Sequence, residues 1–211
     1  MEIAFFAASV VVFIAYITFA SLFYKKKEKE NFDMRNHFPF EMFIKKSDNN
    51  FMMNILLLIP FLLVATNFIL FSINFYDVPT VLATFIAVAL CFFAVASFVV
   101  PLSKFKEHCI ISIFLLTFTA ILNGFLIYKE IKLFSLNSDY ILLLPMIINS
   151  IGGAFSIIMM FHPGLFKFEM EKDEFGGLKR PKAFVMTVGE WVSLFIILAS
   201  QISIVIIKAV S

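Results

Sequence analysis

The sequence predicts an all-α integral membrane protein in which six transmembrane helices form one domain over residues 1–211. Three observations predict this fold: six long apolar stretches, basic residues concentrated in alternate gaps between them, and aromatic rings at the ends of the stretches. The chain is 61% apolar and only 15% charged, which lies far outside the range of soluble domains. Nearly all of it is therefore expected to lie in a bilayer, and its net charge of +2 does not indicate a nucleic-acid partner.

Each apolar stretch is about long enough to cross a hydrocarbon core of about 30 Å as a helix. We refer to these stretches as spans one to six, and they cover residues 3–24, 51–76, 79–102, 109–128, 140–161 and 184–207.

The basic residues predict the orientation of the spans. Fourteen of the seventeen Lys and Arg residues lie in three alternate gaps, at 25–50, 103–108 and 162–183. Short loops rich in Lys and Arg stay in the cytoplasm. These gaps are therefore predicted to be cytoplasmic loops, with both chain termini outside, and the expected location is a bacterial plasma membrane.

Aromatic rings mark the same span ends. Amphipathic rings prefer the headgroup level of a bilayer, and Trp191 lies near the start of span six. Four of the five tyrosines lie at span ends: Tyr24, Tyr76, Tyr128 and Tyr140.

Small residues and prolines predict how the spans meet. The run 149–156 combines an amide with five small residues, which allows close helix contacts, so span five is expected to be the most buried. Pro60 and Pro145 lie inside spans two and five and are predicted helix breaks, because proline removes a backbone hydrogen bond. They are compatible with an inverted repeat of spans one to three and four to six, and also with ordinary membrane helices.

Two cytoplasmic loops have an amphipathic or charged character. In the loop 25–50, Pro39 can begin a short helix that carries Phe40, Phe43 and Ile44 on one side. Such a helix is expected to lie on the inner leaflet. The loop 162–183 contains an acidic run that is either a solvated segment or a docking surface for a protein partner.

Polar residues within the spans define a candidate binding site. In a transporter, a midplane site between spans two, four and five would be formed by Asn67, Asn123, Asn149, Gly152 and Gly153. Such amides also commonly join neighbouring helices.

Glu190 is the one carboxylate inside a predicted span. It lies either about 12 Å along the helix from Lys182 or near the headgroups. The neighbouring Trp191 favours the interfacial position.

The predicted cytoplasmic side also collects imidazole and carboxylate groups, which suit acid–base or metal chemistry. The candidates are His37, His108, His162, Glu41 and Glu107. Their spacing matches no metal-ligand motif, so neither a metal nor a cofactor is predicted.

The sparse intramembrane charge favours a non-catalytic function. We expect a scaffold or accessory subunit that docks a protein partner through the loops 25–50 and 162–183. A small transporter, or the substrate-binding subunit of one, is the alternative. A lipid-modifying enzyme that uses the cytoplasmic histidines is the third possibility.

Overall fold

A computed structural model of the chain describes residues 2–29, 31–42, 58–74, 80–99, 105–165, 171–172, 178–179 and 183–210. Within these residues the chain is almost entirely helical. The α-helices are α1 (Glu2–Glu28), α2 (Leu58–Asn74), α3 (Thr80–Val99), α4 (Phe105–Asn137), α5 (Leu143–Met160), α6 (Val185–Ala199) and α7 (Gln201–Val210). Short 3-10 helices cover Pro39–Met42 and Tyr140–Leu142. Strands β1 (Glu171–Lys172) and β2 (Leu178–Lys179) pair antiparallel.

Four helices are long and apolar enough to cross a membrane. They are Ile3–Lys26, Glu107–Asn137, Tyr140–Met160 and Val185–Val210, and the described parts of α2 and α3 contribute the shorter apolar stretches Ile59–Phe71 and Thr84–Val99. The all-helical prediction is therefore confirmed for the described residues, and the helices are those of a membrane protein.

The distribution of side chains is that of a protein surrounded by lipid. Large apolar side chains are exposed on the outside of the bundle, among them Val11, Phe92 and Ile151. Amides and ionisable groups such as Asn67 and Glu190 are buried inside it. Exposed apolar surface on this scale marks contact with a membrane or a partner.

The long helix α4 is the centre of the bundle and contacts α3, α5, α6 and α7. It extends nine residues beyond the predicted end of span four at residue 128, because Lys129 and Glu130 are enclosed by neighbouring helices and do not end it. It stops at Ser138, whose positive φ and N–H donation to Phe134 O form a left-handed cap. Lys29 ends α1 in the same way.

The other predicted spans differ from the helices in detail. Span five begins with a 3-10 turn before α5. Span five is not the most buried span. About a third of the residues in its apolar segment are buried, whereas about half are buried in α4, because only its small-residue side packs inward. Residues 51–57, 75–79 and 100–104, where spans two and three were predicted to begin or end, lie outside the described residues.

Span six changes its hydrogen-bonding pattern near its middle. Helices α6 and α7 meet at Ser200, where the Ser203 N–H donates to Ser200 O, three residues back. A 3-10 turn inside a long helix often marks a functional hinge.

The two prolines that were predicted to interrupt spans two and five lie within the first three described residues of their helices. Pro145 is the third residue of α5 and Pro60 the third described residue of α2. The first turn of a helix has N–H groups without helical partners, so Pro145 fits there and does not interrupt α5. The change of pattern at Ser200 involves no proline.

The segment 31–42 packs onto the end of the bundle. Phe184 N–H donates to Arg35 O at 2.8 Å, and Trp191 Nε1 donates to His37 O at 2.9 Å. Phe38 is fully buried. The predicted amphipathic helix is described only as the 3-10 turn Pro39–Met42; residues 43–50 lie outside the described part of the chain.

Candidate functional site

One face of α4 carries polar side chains along most of the helix. At 100° per residue, five buried polar residues lie within about 60° of one another around the helix axis. They are His108, Ser112, Thr119, Asn123 and Glu130. Helices α5, α6 and α7 pack against α4, and two clusters of ionisable and polar groups lie near the ends of this polar face.

The first cluster comprises His108, Ser112 and Glu190, and all three are buried. His108 Nε2 lies 2.9 Å from Glu190 Oε1, and the Ser112 hydroxyl donates to the same oxygen. The second carboxylate oxygen, Glu190 Oε2, has no hydrogen-bond partner among the described residues. Glu190 was expected near the headgroups; the structure buries it to 1% exposure beside His108, one residue before the predicted start of span four.

Trp191, whose position in the sequence favoured the interfacial placement of Glu190, is itself buried in the protein. Its ring is only 2% exposed and packs edge-on against Phe98, with centroids 5.7 Å apart. Its N–H donates to His37 O, so the polar tip of this indole is satisfied inside the protein and needs no headgroup.

Aromatic rings close the end of the bundle over this first cluster. The Phe38 ring lies 5.1 Å from the His108 ring, edge-on, and stacks on Phe184 at 5.9 Å. Cys109 and Leu165 complete the same buried apolar group. The segment that carries Phe38 therefore shields His108 from solvent.

The second cluster comprises Glu130, Asn149 and Ser203, and all three are fully buried. Asn149 Nδ2 donates to Glu130 Oε1 at 2.8 Å and to Ser203 Oγ at 2.6 Å. Glu130 Oε2 and Asn149 Oδ1 have no hydrogen-bond partner within the described ranges. The two clusters are about 33 Å apart along α4.

Asn123 lies between the two clusters, against the small residues of α5. A Cβ added to Gly152 would come within 2.9 Å of Asn123 Oδ1, and one added to Gly153 within 3.5 Å of Asn123 Cβ. The Asn123 amide donates to Thr119 O at 2.7 Å, while its Oδ1 has no partner in the described part of the chain. The structure thus brings three of the five predicted midplane residues together: Asn123, Gly152 and Gly153.

Asn67 forms a separate contact with the other side of span six. Its Nδ2 donates to Gln201 Oε1 at 3.0 Å. Gln201 lines a small cavity with Phe61 and Leu122, with room for about one water molecule. Asn149, by contrast, belongs to the Glu130 cluster.

The predicted cytoplasmic histidines have three different environments. His37 Nδ1 lies within hydrogen-bond distance of the Asp33 backbone, and His162 Nδ1 accepts from Gly164 N–H in an exposed turn. Within the described ranges, His108 is the one of the three whose ring forms an ion-pair contact with a carboxylate, that of Glu190. The predicted partner Glu107 is exposed.

The remaining predicted carboxylate has a local structural contact. Glu41 Oε2 accepts from Phe38 N–H at 2.8 Å, which holds the turn that positions Phe38. Nearby, hydrogen bonds from Arg35 lower the pKa of the exposed Asp33 carboxyl group. Among the described residues, no three His, Cys, Asp or Glu side chains are grouped as a metal site.

Sequence reasoning missed Glu130 as a site residue and placed Gln201 and Ser203 in no site. Glu130 was assigned to an outer loop because it follows Lys129 at the end of the apolar stretch. The spacing 108, 112, 119, 123 and 130 alternates steps of four and seven residues, which keeps one helical face. That spacing was the available signal.

No protein-family model, curated protein or solved structure shows significant similarity to this chain.

Proposed function

We propose that the protein transports protons across the membrane along the interface of α4 with α5, α6 and α7. The single observation that carries this proposal is the polar face of α4, with a buried carboxylate cluster near each end. This is a specific form of the transporter alternative that the sequence left open.

The burial of ionisable groups supports a transport function. An ionisable residue inside a membrane protein is costly and usually marks an ion or proton path. Glu130 and Glu190 are 0% and 1% exposed. The folded chain therefore encloses two carboxylates, of which only Glu190 lies within a span that the sequence predicted.

The chemistry of the face suits protons. The His108 imidazole and the Glu190 carboxylate are 2.9 Å apart, a distance at which a proton can pass between them. The hydroxyls of Ser112 and Thr119 can both donate and accept hydrogen bonds. Water between these groups would complete the path, and buried polar atoms such as Asn123 Oδ1 can bind such water.

The proposed topology assigns each end of the path to one side of the membrane. With six spans and both termini outside, the His108 cluster would face the cytoplasm and the Glu130 cluster the exterior. The positive-inside distribution of Lys and Arg supports this orientation.

A flux assay tests the proposed function. The purified chain is reconstituted into vesicles with a potassium-driven membrane potential, and a trapped pH dye measures proton entry. We expect wild-type flux above that of protein-free vesicles, and flux at the protein-free level for Glu190→Gln, which keeps the shape of the side chain without its charge.

The matched control is Glu107→Gln, which makes the same change one residue from His108 but at an exposed position. It is expected to retain wild-type flux. Equal flux in all three proteins, or none in folded wild-type protein, would contradict the proposal.

An accessory-subunit function is a second candidate, and the hairpin β1–β2 favours it. Glu171 pairs with Lys179 and Lys172 with Leu178, so the charged loop 162–183 contains ordered backbone that a protein partner could recognise. Co-purification from the native membrane in mild detergent tests this candidate. A stoichiometric partner that is lost when residues 169–177 are deleted would support it.

A further inference from the structure

We propose that the Glu130–Asn149–Ser203 cluster binds a monovalent metal cation, with Na⁺ as the probe, in competition with a proton. This inference deepens the proposed function, on which it rests for the exchange of the two ions. The cation site itself can be tested without any measurement of flux.

The cluster supplies oxygen ligands of the kind that hard cations prefer. A carboxylate, an amide oxygen and a hydroxyl oxygen come from Glu130, Asn149 and Ser203. Asn149 Nδ2 lies within 2.8 Å of Glu130 Oε1 and 2.6 Å of Ser203 Oγ. All three groups are therefore close enough to surround one ion.

Two of these oxygens are buried without a hydrogen-bond partner among the described residues. They are Glu130 Oε2 and Asn149 Oδ1. Most buried polar atoms in folded proteins have a partner, so the unpartnered Glu130 Oε2 points to a ligand on the carboxylate. The unpartnered Asn149 Oδ1 has no hydrogen bond to lose if the amide turns over. Turning the Asn149 amide over would direct its oxygen towards the carboxylate, in place of its NH₂ group.

The charge of the cluster favours a monovalent ion. Glu130 is its one carboxylate, so one positive charge neutralises it, whereas a divalent ion would leave a net charge in a low-dielectric interior. Lys129 precedes Glu130 in α4 and is only 2% exposed. It lies about 100° from Glu130 around the helix axis, so it is not one of the groups that would surround the ion.

The backbone of span six adds a feature common in cation sites of transporters. The α6–α7 junction at Ser200 lies three residues before Ser203 and is a 3-10 turn. Interrupted helices in transporters coordinate cations with freed carbonyls and helix C-terminal ends.

Competition with a proton follows from the shared carboxylate. Protonation of Glu130 removes the negative charge that attracts the cation, and cation binding releases that proton. Of the described elements packed around the cluster, α2 and α5 contain no ionisable residue, and on α7 only the exposed Lys208 is ionisable. On α4 the neighbouring ionisable residues are the buried Lys129 and the exposed Lys132. Asp139 and the exposed Tyr140 lie at the adjoining 3-10 turn. Na⁺ affinity is therefore expected to rise with pH until Glu130 is ionised.

Thermal unfolding of the full chain in detergent tests the site. A ligand that binds only the folded state raises the unfolding temperature. At pH 8.5, replacing choline chloride by NaCl at equal concentration is expected to raise the wild-type unfolding temperature. The rise is expected to be smaller at pH 5.5.

The variants separate this inference from proton transport. Glu130→Gln and Ser203→Ala are each expected to weaken apparent Na⁺ affinity by about tenfold or more, because the first removes the negative charge of the site and the second removes an oxygen ligand. Glu190→Gln alters only the other cluster, so it is expected to keep the wild-type Na⁺ response while losing proton flux.

The outcomes distinguish the Na⁺ site from proton transport. A Na⁺-specific rise in wild type and Glu190→Gln, but not in Glu130→Gln, would support the site even if no proton flux is found. No difference between Na⁺ and choline in wild type would overturn the site and leave proton transport standing. An equal rise in wild type and Glu130→Gln would also overturn it. If a variant does not fold, direct binding of ²²Na⁺ to the wild-type protein tests the site. Saturable binding would support it, and no binding would overturn it.

Discussion

The two buried carboxylates, Glu190 and Glu130, differ in how far they could be recognised from the sequence. Glu190 was visible as an intramembrane candidate, but its depth was uncertain because Trp191 suggested the interface. The partners that enclose its carboxylate, His108 and Ser112, lie 82 and 78 positions away in the chain. No local pattern could have paired them with Glu190. Glu130 was not recognised as a buried residue, because the adjacent charges Lys129 and Glu130 follow an apolar stretch, and charges in that position normally lie in water.

The small residues of α5 were predicted more successfully. The pattern around Gly152 and Gly153 indicated close helix contact, and both residues pack against Asn123. The contact itself could be predicted because it depends on side-chain size alone. The identity of the opposing residue depends on the relative rotation of two helices, which spacing within one helix does not specify.

Replacing Gly152 by Ala is expected to destabilise the protein by about 1–3 kcal/mol. The added Cβ would lie 2.8 Å from Ile196 Cγ2 and 2.9 Å from Asn123 Oδ1, so α4, α5 and α6 would have to separate. Unfolding in detergent by increasing SDS, followed by circular dichroism, measures the change.

The control for this substitution is Gly124→Ala. A Cβ there meets no atom within 4 Å, and alanine favours helix over glycine. Stability equal to or slightly above wild type is expected. A loss equal to that of Gly152→Ala would refute the close contact between α4 and α5.

At the scale of elements, the sequence predicted where helices exist better than where they end. Apolar stretches identified α1, α4, α5 and the α6–α7 pair. The ends of α4 were misjudged because a buried glutamate with an amide partner can continue a helix through a charged position. The junction at Ser200 has no glycine or proline, so its sequence carries no breaking signal.

The aromatic closure formed by the segment 31–42 gives an element-scale prediction. Replacing Phe38 by Ala is expected to expose the His108 region, because the Phe38 ring covers both His108 and the group that contains Cys109. Cys109 should then react with N-ethylmaleimide about tenfold faster or more, since its thiol is buried in wild type. Mass spectrometry of the labelled peptide measures the rate.

Phe161→Ala is the matched control because Phe161 is 81% exposed near the end of α5. It is expected to leave the labelling of Cys109 unchanged. Unchanged labelling in Phe38→Ala as well would mean that the segment does not close the site. Cys91, buried among α2 and α3 residues, reports any general unfolding.

For the whole molecule, composition was the most informative property. An apolar content of 61% predicted a membrane protein, and the apolar exterior and polar interior of the bundle agree with it. The proposed function could not be derived in this way, because the proposal depends on which buried polar groups meet. Those contacts join residues from α2, α4, α5, α6 and α7.

The six-span topology predicts which ends are accessible from each side of the membrane. Leu136→Cys, at a position 70% exposed near the end of α4, should be labelled by a membrane-impermeant maleimide in intact cells. Asn31→Cys, exposed after α1, should be labelled only after permeabilisation. Both native cysteines are buried, so background is expected to be low. The reverse pattern would refute the positive-inside orientation.

The central claim is that protons follow the polar face of α4, and two threonines on that helix test it most directly. Thr119 and Thr117 each donate a hydroxyl hydrogen bond to the backbone oxygen four residues back, at 2.7 and 2.8 Å. Thr119 lies on the buried polar face, whereas Thr117 lies about 160° away from it around the helix. Valine replaces threonine with almost the same shape but no hydroxyl.

The measurement is proton flux into reconstituted vesicles for Thr119→Val and Thr117→Val at equal protein content. We expect flux to fall by about tenfold or more in Thr119→Val, because its hydroxyl is part of the path, and to stay at the wild-type level in Thr117→Val. Equal flux in the two variants would contradict a proton path along this face of α4.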